Sequence, residues 1–469
     1  MPERVRVLLV GLALASCGET AAPRGERPNL VLISVDTLRP DFLGCYGHAG
    51  DVSPRIDALA ARGVVFEDVT SSAPWTLPAH ATMLTGMYPS THGVRTHEFA
   101  LTEESLATWL GKAGYQTIAV VNSHNIGFPQ YGLLRGFDAA EWVPEMEVGS
   151  GGRMTPGPIR NMAARIVKRA LQDLERRDRS RPFFLFLHFY DVHTDFTPFP
   201  KWEAKYVAPY EGPLTPITQD LNHARIAMQL GNLTLTPADV DYLRQMYDAE
   251  IRTFDDRLGV LLDELEAQGL LESTIVALTS DHGEEYGEHG GLLHGRTHFQ
   301  ELVRIPLVLA GPGVPVGRRI GVPLHLVDLA PMLYALAGVP PPPRMDGLDA
   351  SLAWREPERL PARRFLFSEA DHNNVTDQGE EVHDVKRMVR LGNLVLQYDT
   401  RDGRKELYDL SADPGEQRDL AQAEPELVAE LFTALEVFLG REGSARVIGP
   451  VSEENQALLD QLGYGGGGD

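Results

Sequence analysis

Cysteine is almost missing: the 469 residues hold two, Cys17 and Cys45. If Cys17, at the end of an N-terminal apolar run, is lipidated or removed, Cys45 is the only free thiol left and no disulfide framework can form within one molecule. Cys45, in Leu43-Gly44-Cys45-Tyr46-Gly47, reads as a small buried hydrophobe. Positive charge is also scarce, with 43 Lys and Arg against 66 Asp and Glu and a net charge of -23. That balance argues against nucleic acid as a partner. It also repels anions at long range, so an anionic substrate needs a local positive centre. The N-terminal run Val7 to Ala15 is too short to span a bilayer as a mature helix. What is plentiful is apolar residue, 43% of the chain. That suffices for a large core and suggests one big α/β domain with something smaller beside it.

Arg4 and Arg6 precede the Val7–Ala15 run, which leads into Leu14-Ala15-Ser16-Cys17. A basic start, a short apolar core and small residues describe a signal peptide. The position of Cys17 resembles the lipobox of bacterial lipoproteins. That resemblance implies lipidation of Cys17, with residues 1–17 removed as the signal. It implies an exported protein of the bacterial cell envelope, facing the periplasm or the exterior and held to a membrane by lipid. Residues 18–28 then form a tether. The alternative is an ordinary cleaved signal with a coincidental cysteine.

The rest alternates strands and helices. Asn29 to Val35 is an apolar, β-branched run of the kind found in a buried parallel sheet, with Asp36 at its carboxyl end. Ligands bind off such ends in open α/β sheets. Helices are expected over Pro54–Arg62, Thr102–Lys112, Ile159–Arg176 and Val327–Ala337, and from a Thr236 cap to about Gln268. Strands are expected over Gln116–Val121, Phe183–Phe189, Ser273–Thr279 and Ile305–Ala310. Glu145 to Gly157 reads as a loop. Phe196 to Thr234, with little period, reads as an insertion near the site. Short strands at Arg364–Ser368, Lys386–Arg390 and Asn393–Tyr398, then a helix over Pro425–Leu439, indicate a smaller α+β domain with an antiparallel sheet. The expected division is a catalytic domain over residues 29–345, the smaller domain over 346–445, and a flexible tail over 446–469.

Strand ends carry the chemistry. Asp36, His193 and the pair Asp281-His282 all follow apolar strands, and His124 follows another. Two carboxylates and an imidazole suit Zn²⁺ or Mn²⁺, with Ca²⁺ or Mg²⁺ less favoured. Glu284, Glu285, Glu288 and His289 make the stretch after His282 too polar for core. Thr76 lies in Ala73-Pro74-Trp75-Thr76-Leu77-Pro78, where two prolines disfavour helix, before a helical stretch closed by Gly86. It is either a helix cap or a hydroxyl nucleophile activated by a nearby cation. His193 or His294 is placed to protonate a leaving oxygen. His124 is either a substrate contact or a satisfied loop histidine.

These stretches resemble the sulfatase family of the alkaline phosphatase superfamily. The matching runs are Asn29 through Arg39, Pro78 to Gly86, Ser280-Asp281-His282-Gly283-Glu284-Glu285, Arg304-Ile305-Pro306-Leu307, Asp346-Gly347, and Glu406 through Glu416. The resemblance implies an alkaline-phosphatase-like, mainly parallel sheet flanked by helices. It implies Asp36, Thr76, Asp281 and His282 as metal ligands, Thr76 as nucleophile, and His80, His193 and His294 as further catalytic positions. The departures are informative. That family has a Cys or Ser, oxidised to formylglycine, where Thr76 stands, and an Arg four residues on, where His80 stands. Its second Asp is Thr37 here, and its Lys near His124 is Asn122. Threonine carries a β-methyl, so formylglycine is not expected. A threonine nucleophile is similar to phosphodiesterases and phosphoethanolamine transferases of the superfamily. The expected substrate is an anionic ester, phosphate or sulfate, with glycans and lipids as candidate carriers. The alternatives are a sulfatase working without formylglycine, and a non-catalytic lipoprotein that binds anionic glycans.

Overall fold

The computed structural model describes residues 27–144, 147–148, 154–155, 162–375, 381–440 and 446–447. The signal peptide and Cys17, nearly all of the tether, most of the Glu145–Gly157 loop and all but two residues of the tail lie outside the described residues.

A nine-stranded sheet forms the centre. Its order is Arg318–Ile320, Gly63–Thr70, Arg304–Ala310, Thr274–Ser280, Asn29–Val35, Phe183–Phe189, Gln116–Val121 and Ala139–Trp142, with Leu324–His325 also paired to Gly63–Thr70. The five strands from Thr274–Ser280 to Ala139–Trp142 run parallel. Arg304–Ala310 runs antiparallel to both of its neighbours. The central strands are buried along nearly their whole length, which is why they read as continuous apolar runs. Two large apolar clusters cover the two faces. One includes the buried face of Pro237–Ala267, a helix opened by a capping box between Thr236 and Asp239.

Four antiparallel strands form the second sheet: Phe365–Val375, Glu381–Leu391, Leu394–Asp399 and Lys405–Asp409. The helix Pro425–Leu439 packs on it through Leu431, Leu435 and Phe438. Phe438 stacks on Phe367 with centroids 3.9 Å apart. Tyr88 and Val327 of the larger part join this small core. Two charge pairs, each with one fully buried partner, also tie the parts together. Arg364 Nη1 and Nη2 each lie 2.7 Å from an Asp328 oxygen. Arg390 Nη1 donates to Asp68 Oδ1 at 2.7 Å.

Several expectations need correction. Gly63–Thr70 is a strand of the main sheet that the sequence reading passed over, because Glu67 and Asp68 interrupt its apolar run. Lys405–Asp409 is likewise an extra strand. The Phe196–Thr234 insertion holds two helices, Pro200–Tyr206 and Thr218–Gln229. The helix expected from Thr102 begins at Leu106, with Ser105 at the cap position.

Candidate active site

Register brings the site together. Val35 is paired with Ser280 on one side and Phe189 on the other. The next residues, Asp36 and Asp281, therefore emerge side by side at the carboxyl edge, and the Asp36 N–H donates to Phe189 O at 2.9 Å. The backbone is bent to hold them there. Among the described residues four non-glycines have positive φ, and three flank the site: Thr37 at 54°, Asp195 at 82° and Leu293 at 69°. Thr37 is β-branched, so its conformation is strained. It is held by Thr37 N–H to Asp281 Oδ1 at 3.3 Å, Thr37 Oγ1 to Val192 O at 3.2 Å, and Tyr247 O–H to Thr37 O at 2.7 Å.

Thr76 is the first residue of the helix Thr76–Thr85, and all ten residues are buried. Trp75, not Thr76, takes the cap position, and it makes no side-chain capping bond. Pro78 lies within the first turn, where a missing N–H costs nothing, so the helix begins three residues earlier than expected. The hydroxyl is thus not used as a cap. Thr76 Oγ1 instead lies 3.4 Å from His282 Nε2.

His282 Nδ1 donates to Gly283 O at 2.9 Å, which leaves Nε2 facing the carboxylates. Nε2 lies 3.3 Å from Asp281 Oδ2 and 3.6 Å from Asp36 Oδ1. Burial works against charge on this ring, but Asp281 and Asp36 outweigh it and raise its pKa. Asp36 is fully buried, and neither of its oxygens accepts a hydrogen bond. Burial raises its pKa, against the pull of His193 and His282. Asp281 Oδ2 also lacks a donor, while its Oδ1 accepts from the N–H groups of Thr37 and His282. Three carboxylate oxygens without donors, turned toward one imidazole and one hydroxyl, fit a divalent cation. The Asp36, Asp281 and His282 donor atoms lie within 4.8 Å of one another.

His193 and His294 stand next to this set. The His294 ring is 4.5 Å from that of His282 and 4.9 Å from that of His193. His193 stacks on Tyr190 at 4.2 Å, and its Nδ1 lies 3.1 Å from Thr194 O. Burial lowers the His193 pKa to about 3 and pushes His294 down as well, so both rings are neutral. His294 Nδ1 donates to Glu284 Oε1 at 2.9 Å.

His80 is turned differently from the catalytic position expected of it. Its Nδ1 donates to Thr76 O at 2.9 Å and lies 3.5 Å from Asp281 Oδ2, while Nε2 meets Ser34 Oγ at 2.9 Å. Burial lowers its pKa to about 3. Its ring therefore braces the first turn of the Thr76–Thr85 helix against the Asn29–Val35 strand. Asn122 Oδ1 accepts from Tyr190 N–H at 2.8 Å and faces His188 Nδ1 at 3.3 Å. His124 is buried, with its ring 5.7 Å from Phe128.

His188 went unnoticed in the sequence. Its Nε2 lies 3.4 Å from Asp36 Oδ2. The available signal was one polar residue inside the apolar strand Phe183–Phe189, one position from its end.

Residues 28–339 match the sulfatase family model. A Δ4,5-hexuronate-2-O-sulfatase of Bacteroides thetaiotaomicron is 24% identical, covering 88% of this chain and 88% of the relative. A choline-sulfatase of Rhizobium meliloti is 27% identical over 84% of this chain and 83% of the relative. Among solved structures, the phosphonate monoester hydrolase of Agrobacterium radiobacter superposes with a TM-score of 0.71 at 23% identity, covering 90% of this chain and 97% of that one. At that identity the likeness shows the fold. The chain belongs to the sulfatase family, and it is a hydrolase of anionic esters, sulfate or phosphate.

Proposed function

We propose that this sulfatase-family chain cleaves phosphate esters, diesters above all, or transfers their phosphoryl group, with Thr76 as the nucleophile. The observation that carries this reading is the Thr76 hydroxyl, free of capping duty and 3.4 Å from His282 Nε2 beside two buried carboxylates. Asp36, Asp281 and His282, with Thr76 itself, would hold a divalent cation, and the mixed oxygen and nitrogen set favours Zn²⁺ or Mn²⁺ over Ca²⁺ or Mg²⁺. Such a cation supplies Lewis-acid polarisation of the ester and favours the alkoxide form of a bound hydroxyl.

The chain's own residues do the rest. Thr76 Oγ1 bonds to phosphorus as the P–O bond to the departing alcohol breaks, the proton lost from the hydroxyl being matched by one taken up on the departing oxygen; the phosphoryl group left on Thr76, still carrying its second ester group when the substrate is a diester, is then transferred to water or a second alcohol. The buried first turn keeps Thr76 fixed for attack, with His80 bracing its carbonyl. A threonine cannot become formylglycine by the oxidation that acts on Cys or Ser, so the hydroxyl itself is the reagent.

A second reading, sulfate ester hydrolysis by the same hydroxyl, is favoured by the relatives described above, a hexuronate-2-O-sulfatase and a choline-sulfatase. A purely glycan-binding role is disfavoured, because it has no use for a nucleophile aimed at a complete ligand set. Export and a lipid anchor at Cys17 complete the proposal, placing the reaction at the cell envelope.

A substrate panel decides. Purified wild type and Thr76→Ala are assayed on aryl phosphodiester, phosphate monoester, phosphonate monoester and aryl sulfate, each with Zn²⁺, Mn²⁺, Ca²⁺ or Mg²⁺. The proposal expects diester turnover that Thr76→Ala abolishes. Aryl sulfate turnover above every phosphorus ester transfers the assignment to the second reading. Turnover unaffected by Thr76→Ala removes the nucleophile.

A further inference from the structure

Among the described residues four arginines are buried: Arg39, Arg225, Arg387 and Arg390. Three of them meet carboxylates. Arg39 lies 2.7 Å from both Asp41 and Glu288, Arg387 pairs with Asp371, and Arg390 donates to Asp68 at 2.7 Å. Arg225 meets none, in a chain that has 66 Asp and Glu to supply one. Its Nη1 donates to Gln229 Oε1 at 3.1 Å, and its buried Nε has no acceptor. A buried guanidinium without an anion works against folding. We propose that Arg225 is an anion subsite: it binds a second oxyanionic group that the ester substrate carries away from the reacting centre. The inference deepens the reading of the chain as an ester hydrolase acting through Thr76, and rests on it.

The position of Arg225 ties it to the site. It belongs to Thr218–Gln229, the second helix of the insertion. The first residue of that helix is fastened to the segment after His193. Thr218 N–H donates to Asp195 Oδ1 at 2.8 Å, Thr218 Oγ1 donates to Asp195 Oδ2 at 3.1 Å, and the same hydroxyl lies 2.8 Å from Thr194 Oγ1. Thr194 Oγ1 in turn lies 3.2 Å from His193 Nδ1. Further along, the helix packs on Leu292–Leu293, the strand that leads into His294, and Leu221 and Ala224 share an apolar cluster with both leucines. One helix therefore spans the two segments that deliver His193 and His294. Asp195 and Leu293, where it is anchored, both have positive φ, which marks a wall held in place by its surroundings.

Helix phase puts Arg225 on the buried face. It follows Leu221 by one turn and Thr218 by two, about 10 Å along the axis. A group bound there is not the ester under attack. It is one joined to that ester by a short chain. The residue is buried but not sealed, with 6% of its surface exposed.

The chemistry fits an oxyanion. A guanidinium presents a planar fork of N–H donors that matches a carboxylate, sulfate or phosphate. Because Arg225 is already out of water, an anion gains charge-assisted hydrogen bonds without desolvating it again, and a neutral group of the same shape leaves it unpaired. A chain of net charge -23 repels a dianionic substrate at long range, so each anionic group needs its own local cation.

The test uses the full chain and aryl phosphodiesters that end in a carboxylate, a sulfonate or a neutral carboxamide. The end group is on the alkyl arm in one series and on the aryl arm in the other. In at least one series wild type is expected to turn over an acid-ended ester with kcat/KM about 10- to 100-fold above the amide. Arg225→Gln should bring that ratio close to one, and Arg225→Lys should keep part of it. The larger of the carboxylate and sulfonate preferences names the group. Without substrate, Arg225→Met should melt at or above wild type, because it removes an unpaired buried charge and keeps the bulk of the stem. Circular dichroism checks that each variant is folded, and Arg225→Met replaces Arg225→Gln if that one is not. Equal use of acid and amide by wild type in both series, a preference that survives in the folded variants, or Arg225→Met melting well below wild type overturns the inference. Failure of the underlying function looks different: no ester is turned over. Calorimetric binding of the same esters to Thr76→Ala, with and without Arg225→Gln, then decides the subsite by the same ratio. Turnover without any acid preference sinks only the subsite.

Discussion

Thr76 Oγ1 lies 3.4 Å from His282 Nε2, although 206 residues separate them in sequence. The contact exists because Trp75 takes the cap position and releases the threonine hydroxyl. It places the hydroxyl proposed as nucleophile against the residues proposed to hold the cation.

Thr76→Ala should lower kcat on the best ester by at least about a thousandfold, about 4 kcal/mol of transition-state stabilisation. Thr76→Ser keeps the hydroxyl and should retain activity within about tenfold. Intact-mass spectrometry after a rapid acid quench should show one covalent phosphoryl adduct on wild type, bearing the retained ester group when a diester is the substrate, and none on Thr76→Ala. Equal turnover by the alanine variant would remove the nucleophile from the mechanism.

Asp36→Asn should separate metal binding from fold stability. The buried carboxyl has no hydrogen-bond donor, so the metal-free variant should melt at or above the metal-free wild type. A cation at about 1,000 times its Kd adds about 4 kcal/mol to wild type, and Asp36→Asn should lose most of that gain. Differential scanning calorimetry with and without chelator reads both effects. A variant that melts far lower without metal contradicts this account.

The His289–Glu301 pair should give a pH-dependent contribution to stability. Burial opposes charge on His289, but the bond to Glu301 and the attraction of Glu301, Glu416 and Glu285 lift its pKa to about 9. That lies above its unfolded value of about 6.5, so the stabilisation is complete below about pH 6.5 and is lost as pH rises through about 9. Glu416, lifted to about 8 chiefly by burial, acts in the same direction across that window. The Tm gap between wild type and Glu301→Gln should be widest near about pH 6 and shrink by about pH 9.5. A gap that stays constant with pH would mean the pair contributes nothing through its charge.

Asp68→Ala should destabilise the junction between the two sheets. It leaves the buried guanidinium of Arg390 short of its anion, at a cost of about 2–4 kcal/mol. The double change Asp68→Leu with Arg390→Met should recover much of that loss. Urea unfolding of the three proteins measures it, and a double variant no more stable than Asp68→Ala would argue against a coupled pair.

Much of the site was legible because its signals are local. A buried strand reads as an apolar run, and a polar residue directly after it stands out, as Asp36, Asp281 and His282 do. The capping box at Thr236 and Asp239 is equally local and appears where expected. Gly63–Thr70 was missed because Glu67 and Asp68 stand at its half-buried positions and break the apolar pattern. The helices of the insertion were missed because Pro200–Tyr206 buries no side chain fully and Thr218–Gln229 only three, so neither carries a strong stripe.

The sequence by itself determined the fold class, the polar residues at the strand ends and the threonine at position 76. Each depends on residue type and on near neighbours along the chain. Tertiary structure alone decided where the side chains point. It turned His80 inward against Ser34, brought His188 up to Asp36, and freed Thr76 from the helix cap. It also assembled His193, Glu284 and His294 into one cluster. Those outcomes depend on helix phase and strand register, which packing between distant segments sets and no local pattern encodes.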